Sequence, residues 1–176
     1  MPTESVTSTA VISAAVMAHP RRAAEAARLA ASLPAWGTRV VVDPSPEAGP
    51  GALRTARAAW AAVAPGATHH VVLQDDVVPC REFAAQVAHA VRELPDTPLA
   101  LYANWNSWNG AATRAAALQG ASWVPAVPGE WTPSLALVLP ARTWTRCWLP
   151  YRRTSPAPTR TTPSSPANSA GAGGGC

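Results

Sequence analysis

Residues 68–80 read THHVVLQDDVVPC, an apolar run that ends on Gln74 and two adjacent carboxylates, Asp75 and Asp76. Neighbouring like charges repel unless a cation lies between or beside them. Hard divalent cations such as magnesium take oxygen ligands, usually one or two carboxylates together with substrate phosphates and water. An acidic pair at a strand end can therefore hold such a cation against a diphosphate, which cancels its own repulsion and shares the charge of a leaving group.

Other polar residues follow apolar runs in the same way. His19, with Pro20, Arg21 and Arg22, follows the run 11–17; Asp43 follows RVVV; Asn104 comes shortly after LALY. Singly, each has a plainer role: His19 can cap a helix, Asp43 can start a turn with Pro44, and an asparagine is an ordinary loop residue. Together they would meet at one edge if the runs are parallel strands, because ligands of an open parallel sheet bind outside the carboxyl ends of its strands.

The stretch NWNSWNG brings Asn104, Trp105, Asn106 and Trp108 into seven residues. Saccharides are bound by amide hydrogen bonds to hydroxyls and by aromatic faces beneath their C–H surfaces, so these residue types suit that task. The plainer reading makes the tryptophans core residues flanking a turn. Glu130, followed by Trp131, is the only acidic residue after Asp96. By elimination it is the candidate base for a reaction that inverts configuration.

The elements that must position these residues are legible from periodicity. The run 11–17 reads as a strand. It precedes HPRRAAEAARLAASLP, where Pro20 suits a first helical position and Ala23, Ala27, Ala30 and Leu33 share a face. RVVVD and ALRTARAAWAAV repeat the unit, with Leu53, Ala56, Trp60 and Val63 as the stripe. HHVVLQDD and REFAAQVAHAVREL repeat it again through Phe83, Val87, Val91 and Leu94, closed by Pro95. LALY is a fourth apolar run, and SLALVLP, beyond a proline-rich stretch, reads as a further strand. Such alternation predicts an α/β domain, a mostly parallel sheet flanked by helices and joined by right-handed crossovers.

With an apolar strand before it and a helix after it, LQDDV resembles the DXD-type motif of GT-A glycosyltransferases, closest to the E-D-D form of lipopolysaccharide-type and family-2-like members. The resemblance covers about residues 11–144 and implies a Rossmann-like GT-A domain. It also implies transfer of a sugar from a nucleotide-diphosphate donor to an unidentified acceptor, assisted by a divalent cation, Mn2+ or Mg2+. By position, Asp76 would be the direct metal ligand, Asp75 would contact the sugar or ribose or share the metal, and Gln74 replaces the first acid of the pattern. Asp43 would bind the nucleoside base, while His19 and Arg22 would contact the donor from the first loop. Asn104, Trp105, Asn106, Trp108, Glu130 and Trp131 would shape the acceptor side. Two rivals remain: a non-catalytic or truncated nucleotide- or sugar-binding module, and a magnesium-dependent phosphotransferase. The latter needs a nucleophilic aspartate or a glycine-rich phosphate loop, and neither is evident.

Length and charge narrow the remaining classes. At 176 residues the chain suits one domain. All 14 basic residues are arginine; Arg152, Arg153 and Arg160 lie beyond Tyr151, leaving eleven arginines against ten acids in the body. A nearly neutral body with no arginine cluster interleaved with aromatics argues against a nucleic-acid partner. Cys80, Cys147 and Cys176 are too few and too scattered for a disulfide framework or a zinc knuckle. The apolar run 10–18 is too short to span a bilayer, and Glu4 upstream is unlike a signal peptide, so the expectation is a soluble cytoplasmic protein without a transmembrane segment. Residues 1–9 read as a flexible start and 10–151 as the folded domain. Residues 152–176 contain no Leu, Ile, Val or aromatic residue and read as a disordered low-complexity tail. Because GT-A domains continue with further helices, the domain reads as cut short near Tyr151.

Overall fold

The computed structural model describes residues 9–144. The expected tail over 152–176, the end of the expected domain, and all of the expected flexible start except Thr9 lie outside the described residues.

Three strand–helix units open the chain. β1 (Ile12–Ala18) leads through a 3-10 turn, Pro20–Arg22, into α1 (Ala23–Ala31). β2 (Arg39–Val42) precedes α2 (Ala52–Ala61), and β3 (His69–Gln74) precedes α3 (Phe83–Glu93). β4 is only Leu99–Ala100, followed by α4 (Trp108–Leu118) and β5 (Ala136–Pro140). The five strands form one sheet in the order β2-β1-β3-β5-β4.

β1 pairs with β2 and β3 in parallel, whereas β5 is antiparallel to both β3 and β4. The expected mostly parallel sheet is therefore mixed, with β5 the one reversed strand. Strand direction is set by how the connecting chain returns to the sheet, and the proline-rich 119–135 stretch carries no periodicity that would reveal it.

Side-chain alternation divides the core in two. Ala14, Val16, Val71, Leu73, Ala136 and Val138 face α1 and α3, where Ala26, Leu29, Val87 and Val91 meet them. Ala15, Val72, Leu137 and Leu139 turn to the other face, against Ala59 and Trp60 of α2. Helices on both faces explain why β3 is buried almost throughout and reads as an unbroken apolar run.

Two expected helix faces hold in part. In α1 Ala26 and Leu29 are the buried helical positions, Ala30 and Leu33 join the same core as expected, and Ala27 is exposed; in α2 Thr55, Ala59 and Trp60 are buried, Ala56 packs against the same core, and Leu53 is exposed. An alanine-rich helix has nearly equal apolar character on several faces, so packing chooses among them. In α3 the expected face holds, with Val87 and Val91 buried and Phe83 and Leu94 packed against the same core.

Two histidines sit inside the sheet. His70 Nε2 lies 3.0 Å from the Ala59 carbonyl and its Nδ1 2.8 Å from Ser13 Oγ. His69 Nε2 lies 3.0 Å from the Pro95 carbonyl. Because a carbonyl only accepts, each Nε2 carries a proton and donates it. Among the described residues no helix is long and apolar enough to cross a membrane.

Candidate functional site

The chain leaves β1 toward β2 on one side and returns to β3 on the other, so a crevice opens between the carboxyl ends of β1 and β3. His19 turns the chain here: its Nδ1 accepts the Arg21 N–H at 3.2 Å, and Pro20 opens the 3-10 turn that carries Arg22 across the crevice. With Nδ1 accepting, Nε2–H is the ring's donor and can reach a ligand oxygen.

Asp75, just past β3, ties the two strand ends together. Its Oδ2 accepts the His19 main-chain N–H at 3.0 Å, and its Oδ1 accepts Arg22 Nε at 3.0 Å. Arg22 Nη2 also donates to the Asp75 carbonyl at 3.2 Å. A guanidinium thus stands beside the acidic pair. Both oxygens of Asp75 accept hydrogen bonds, so a cation held there would share them with the His19 amide and Arg22.

Asp76 is different. It is exposed and makes no hydrogen bond or ion pair with the described residues. Among those residues no group of three or more His, Cys, Asp or Glu side chains converges. The donor set fits a hard cation held through Asp76 alone, the remaining ligands coming from phosphate oxygens and water.

Asp43, at the end of β2, is 5% exposed. Arg54, in the first turn of α2, grips it in two bonds: Nε to Oδ1 at 2.8 Å and Nη2 to Oδ2 at 2.9 Å. Arg54 Nη2 further donates to the Ser45 carbonyl at 2.6 Å, and the Ser45 N–H donates back to Asp43 Oδ1 at 3.1 Å. Chiefly through the Arg54 hydrogen bond, against the opposing effect of burial, the Asp43 carboxyl is held below its ordinary range. A Cβ on Gly51 would stand 1.8 Å from Asp43 Oδ2, so only glycine lets the α2 N-terminus approach this closely. Asp43, the expected base-binding carboxylate, is paired with Arg54 and lines the crevice. Neither Arg54 nor Gly51 was legible as a site residue, because their meeting with Asp43 follows from how α2 docks.

Together, His19, Asp43, Gly49, Gly51, Gln74 and Asp75 line a cavity of about 400 Å3. Gln74 donates from Nε2 to Ser134 Oγ at 3.1 Å, which joins the crevice to the segment entering β5. Asp43 and Arg54 close one side, Asp75 and Arg22 the other.

A second cavity, of about 510 Å3, lies at the start of α4 and is lined by Trp105, Asn106, Trp108, Arg114 and Glu130. Ser107 caps α4 by accepting the Gly110 N–H at 3.0 Å, which fixes Trp108 at its first turn. Trp105 and Trp108 are 69% and 73% exposed, so the core reading of these two rings is excluded. The Arg114 guanidinium lies 4.1 Å from the Trp105 ring centre and donates to the Trp105 carbonyl at 2.7 Å.

Not every expected residue reaches a cavity. Asn104 builds the turn, its carbonyl accepting from Ser107 and its Oδ1 from the Asn106 N–H. Trp131 is exposed and lines neither cavity; its carbonyl accepts from Asn109 Nδ2 at 3.4 Å. Asn109 also accepts the Val127 N–H at 2.7 Å, and so pins the 127–131 segment to α4. Glu130 belongs to the tryptophan cavity and is not among the residues lining the crevice. Compared with protein-family models, with curated proteins and with solved structures, the chain finds no match.

Proposed function

We propose that this chain is a GT-A-like glycosyltransferase that binds a nucleotide-diphosphate sugar in the crevice at the ends of β1, β2 and β3. The carrying observation is Asp75, whose carboxylate joins the loops after β1 and β3 at the place where an open α/β sheet binds nucleotides. His19 Nε2–H and the unused N–H groups of Arg22 are donors suited to phosphate oxygens. Asp76 is the group that would hold a divalent cation, which when bound neutralises charge on the leaving diphosphate.

In the inverting form of the reaction, the acceptor hydroxyl oxygen bonds to the anomeric carbon. The bond from that carbon to the diphosphate oxygen breaks, its electron pair leaving with the diphosphate. The hydroxyl proton passes to a carboxylate, the role assigned to Glu130.

A second reading, a nucleotide- or sugar-binding module without turnover, draws support from Asp75 being already paired and from Glu130 lying with the second cavity. Calorimetric titration with uridine and guanosine diphosphates, beside release assays on their hexose conjugates with and without manganese, separates the two. Transfer or donor hydrolysis supports the enzyme. Binding without turnover supports the module, and failure of every nucleotide to bind sinks the enzyme and the nucleotide-binding form of the module.

A further inference from the structure

The cavity at the start of α4 combines opposite charges that do not meet. Arg114 and Glu130 line the same space, and no ion pair joins them. Glu130 is only partly exposed, and its carboxylate makes no hydrogen bond with the described residues; its one hydrogen bond is through the main chain, to the Val127 carbonyl. An unscreened carboxylate and guanidinium attract, so a pair held apart across a cavity leaves a donor on one wall and an acceptor on the other.

Two indoles and an amide line the same cavity. Trp108 offers a ring 73% exposed at the first turn of α4, and Trp105 is stiffened from one side by Arg114. Large exposed rings in a cluster mark a binding surface. A phosphate or a carboxylate ligand would satisfy Arg114 and be repelled by Glu130; an ammonium ligand would do the reverse. A polyhydroxylated ring suits all of them, since each hydroxyl both donates and accepts while its C–H face lies flat on an indole.

We infer that this cavity binds a neutral saccharide, which makes the acceptor of the proposed transfer a sugar hydroxyl. Glu130 accepts a hydrogen bond from a ring hydroxyl, Arg114 donates to another, and Trp108 carries the ring's apolar face. The word acceptor rests on the transferase reading of the crevice; saccharide binding itself does not.

Saturation-transfer NMR and calorimetry on the full 176-residue chain, without nucleotide, test the inference with cellobiose, maltose, lactose and chitobiose. Saturable binding of at least one is expected. Trp108→Ala and Glu130→Gln should each weaken it by about tenfold or more, the range that loss of one ring or one hydrogen bond produces. Leu118→Ala, on the same helix and 90% exposed, should leave it unchanged. Circular dichroism confirms that each variant is folded. Binding of none of the four sugars, or binding indifferent to Trp108 and Glu130, overturns the inference even if nucleotides bind. Saccharide binding in a chain that binds no nucleotide overturns the crevice reading and leaves the saccharide site standing.

Discussion

Arg22 holds Asp75 from two directions, through Nε to the carboxylate at 3.0 Å and through Nη2 to the main-chain carbonyl at 3.2 Å. A side chain is thereby fixed against a strand end that lies 53 residues away in sequence. The pair sets the relative position of the loops after β1 and β3, which form the two lips of the crevice.

Arg22→Ala is expected to weaken nucleotide-diphosphate binding more than it weakens the fold. The arginine side chain is 46% exposed, and exposed pairs contribute at most about 1 kcal/mol. Urea unfolding beside calorimetry measures both. A large stability loss with unchanged nucleotide affinity would reduce Arg22 to a structural strut.

Asp76→Ala should leave stability unaltered, because the side chain makes no hydrogen bond or ion pair with the described residues. The manganese-dependent part of nucleotide binding should vanish with it. Titrations in manganese and in chelator read the effect directly; equal metal dependence in parent and variant removes Asp76 from the cation site.

Gly51→Ala forces a methyl into Asp43 Oδ2, so either the aspartate or the start of α2 must move. A cost of about 1–3 kcal/mol is expected, as for other overpacked sites. Nucleotide affinity should fall in the same variant, since the crevice wall shifts. A variant as stable as the parent would show that α2 docks less tightly than its contact with Asp43 implies.

Acid should destabilise the protein well before its carboxylates protonate. Burial lowers the proton affinity of His69 and His70 in the folded state, with the hydrogen bonds to Pro95 and Ala59 partly offsetting it. The unfolded chain takes up these protons near pH 6.5 while the folded chain resists, so stability falls as pH drops below about 6.5, until the lowered folded values are passed. Each histidine contributes a slope of up to about 1.4 kcal/mol per pH unit. Denaturant midpoints from pH 7.5 to about 5 should show it, and His70→Gln should flatten the curve. Asp43 acts lower: its depressed carboxyl adds stability above its unfolded value of about 3.9, lost as pH falls through the folded one.

Trp105→Ala and Trp108→Ala should melt within about 1 kcal/mol of the parent, whereas Trp60→Ala should lose about 3–5 kcal/mol. Trp60 is buried, stacks on Trp144 and meets His70 edge-on. Equal losses in all three variants would return the exposed pair to the core.

The convergence of His19, Asp43, Gln74 and Asp75 was legible because the carboxyl ends of parallel strands share one edge, whatever packs on the faces. What those residues do to one another was not. Arg22 and Arg54 each find their aspartate only after a helix or turn has docked, and arginine reach is too long for sequence spacing to reveal its target. The α4 start was marked by Ser107 and by the alanines after it, signals overshadowed by the tryptophans beside them. The turn that Asn104 builds was not legible either, since an asparagine that bonds its own neighbours looks the same in sequence as one that bonds a ligand.

Because β5 runs against its neighbours, it enters the sheet from the edge at which β3 and β4 leave it. The chain leading into it must therefore cross the functional edge on its way in, and it carries Glu130 to one cavity and Ser134 to the other. Its end is anchored by the register of Leu73 with Ala136 and Val71 with Val138, its middle by Asn109. Upstream of these fixed points, residues 119–126 carry neither anchor. Replacing them with a different loop should leave the pairing of β5 and the Asn109 clamp on Val127 and Trp131 in place, so this arm can be exchanged without moving Glu130 or the sheet.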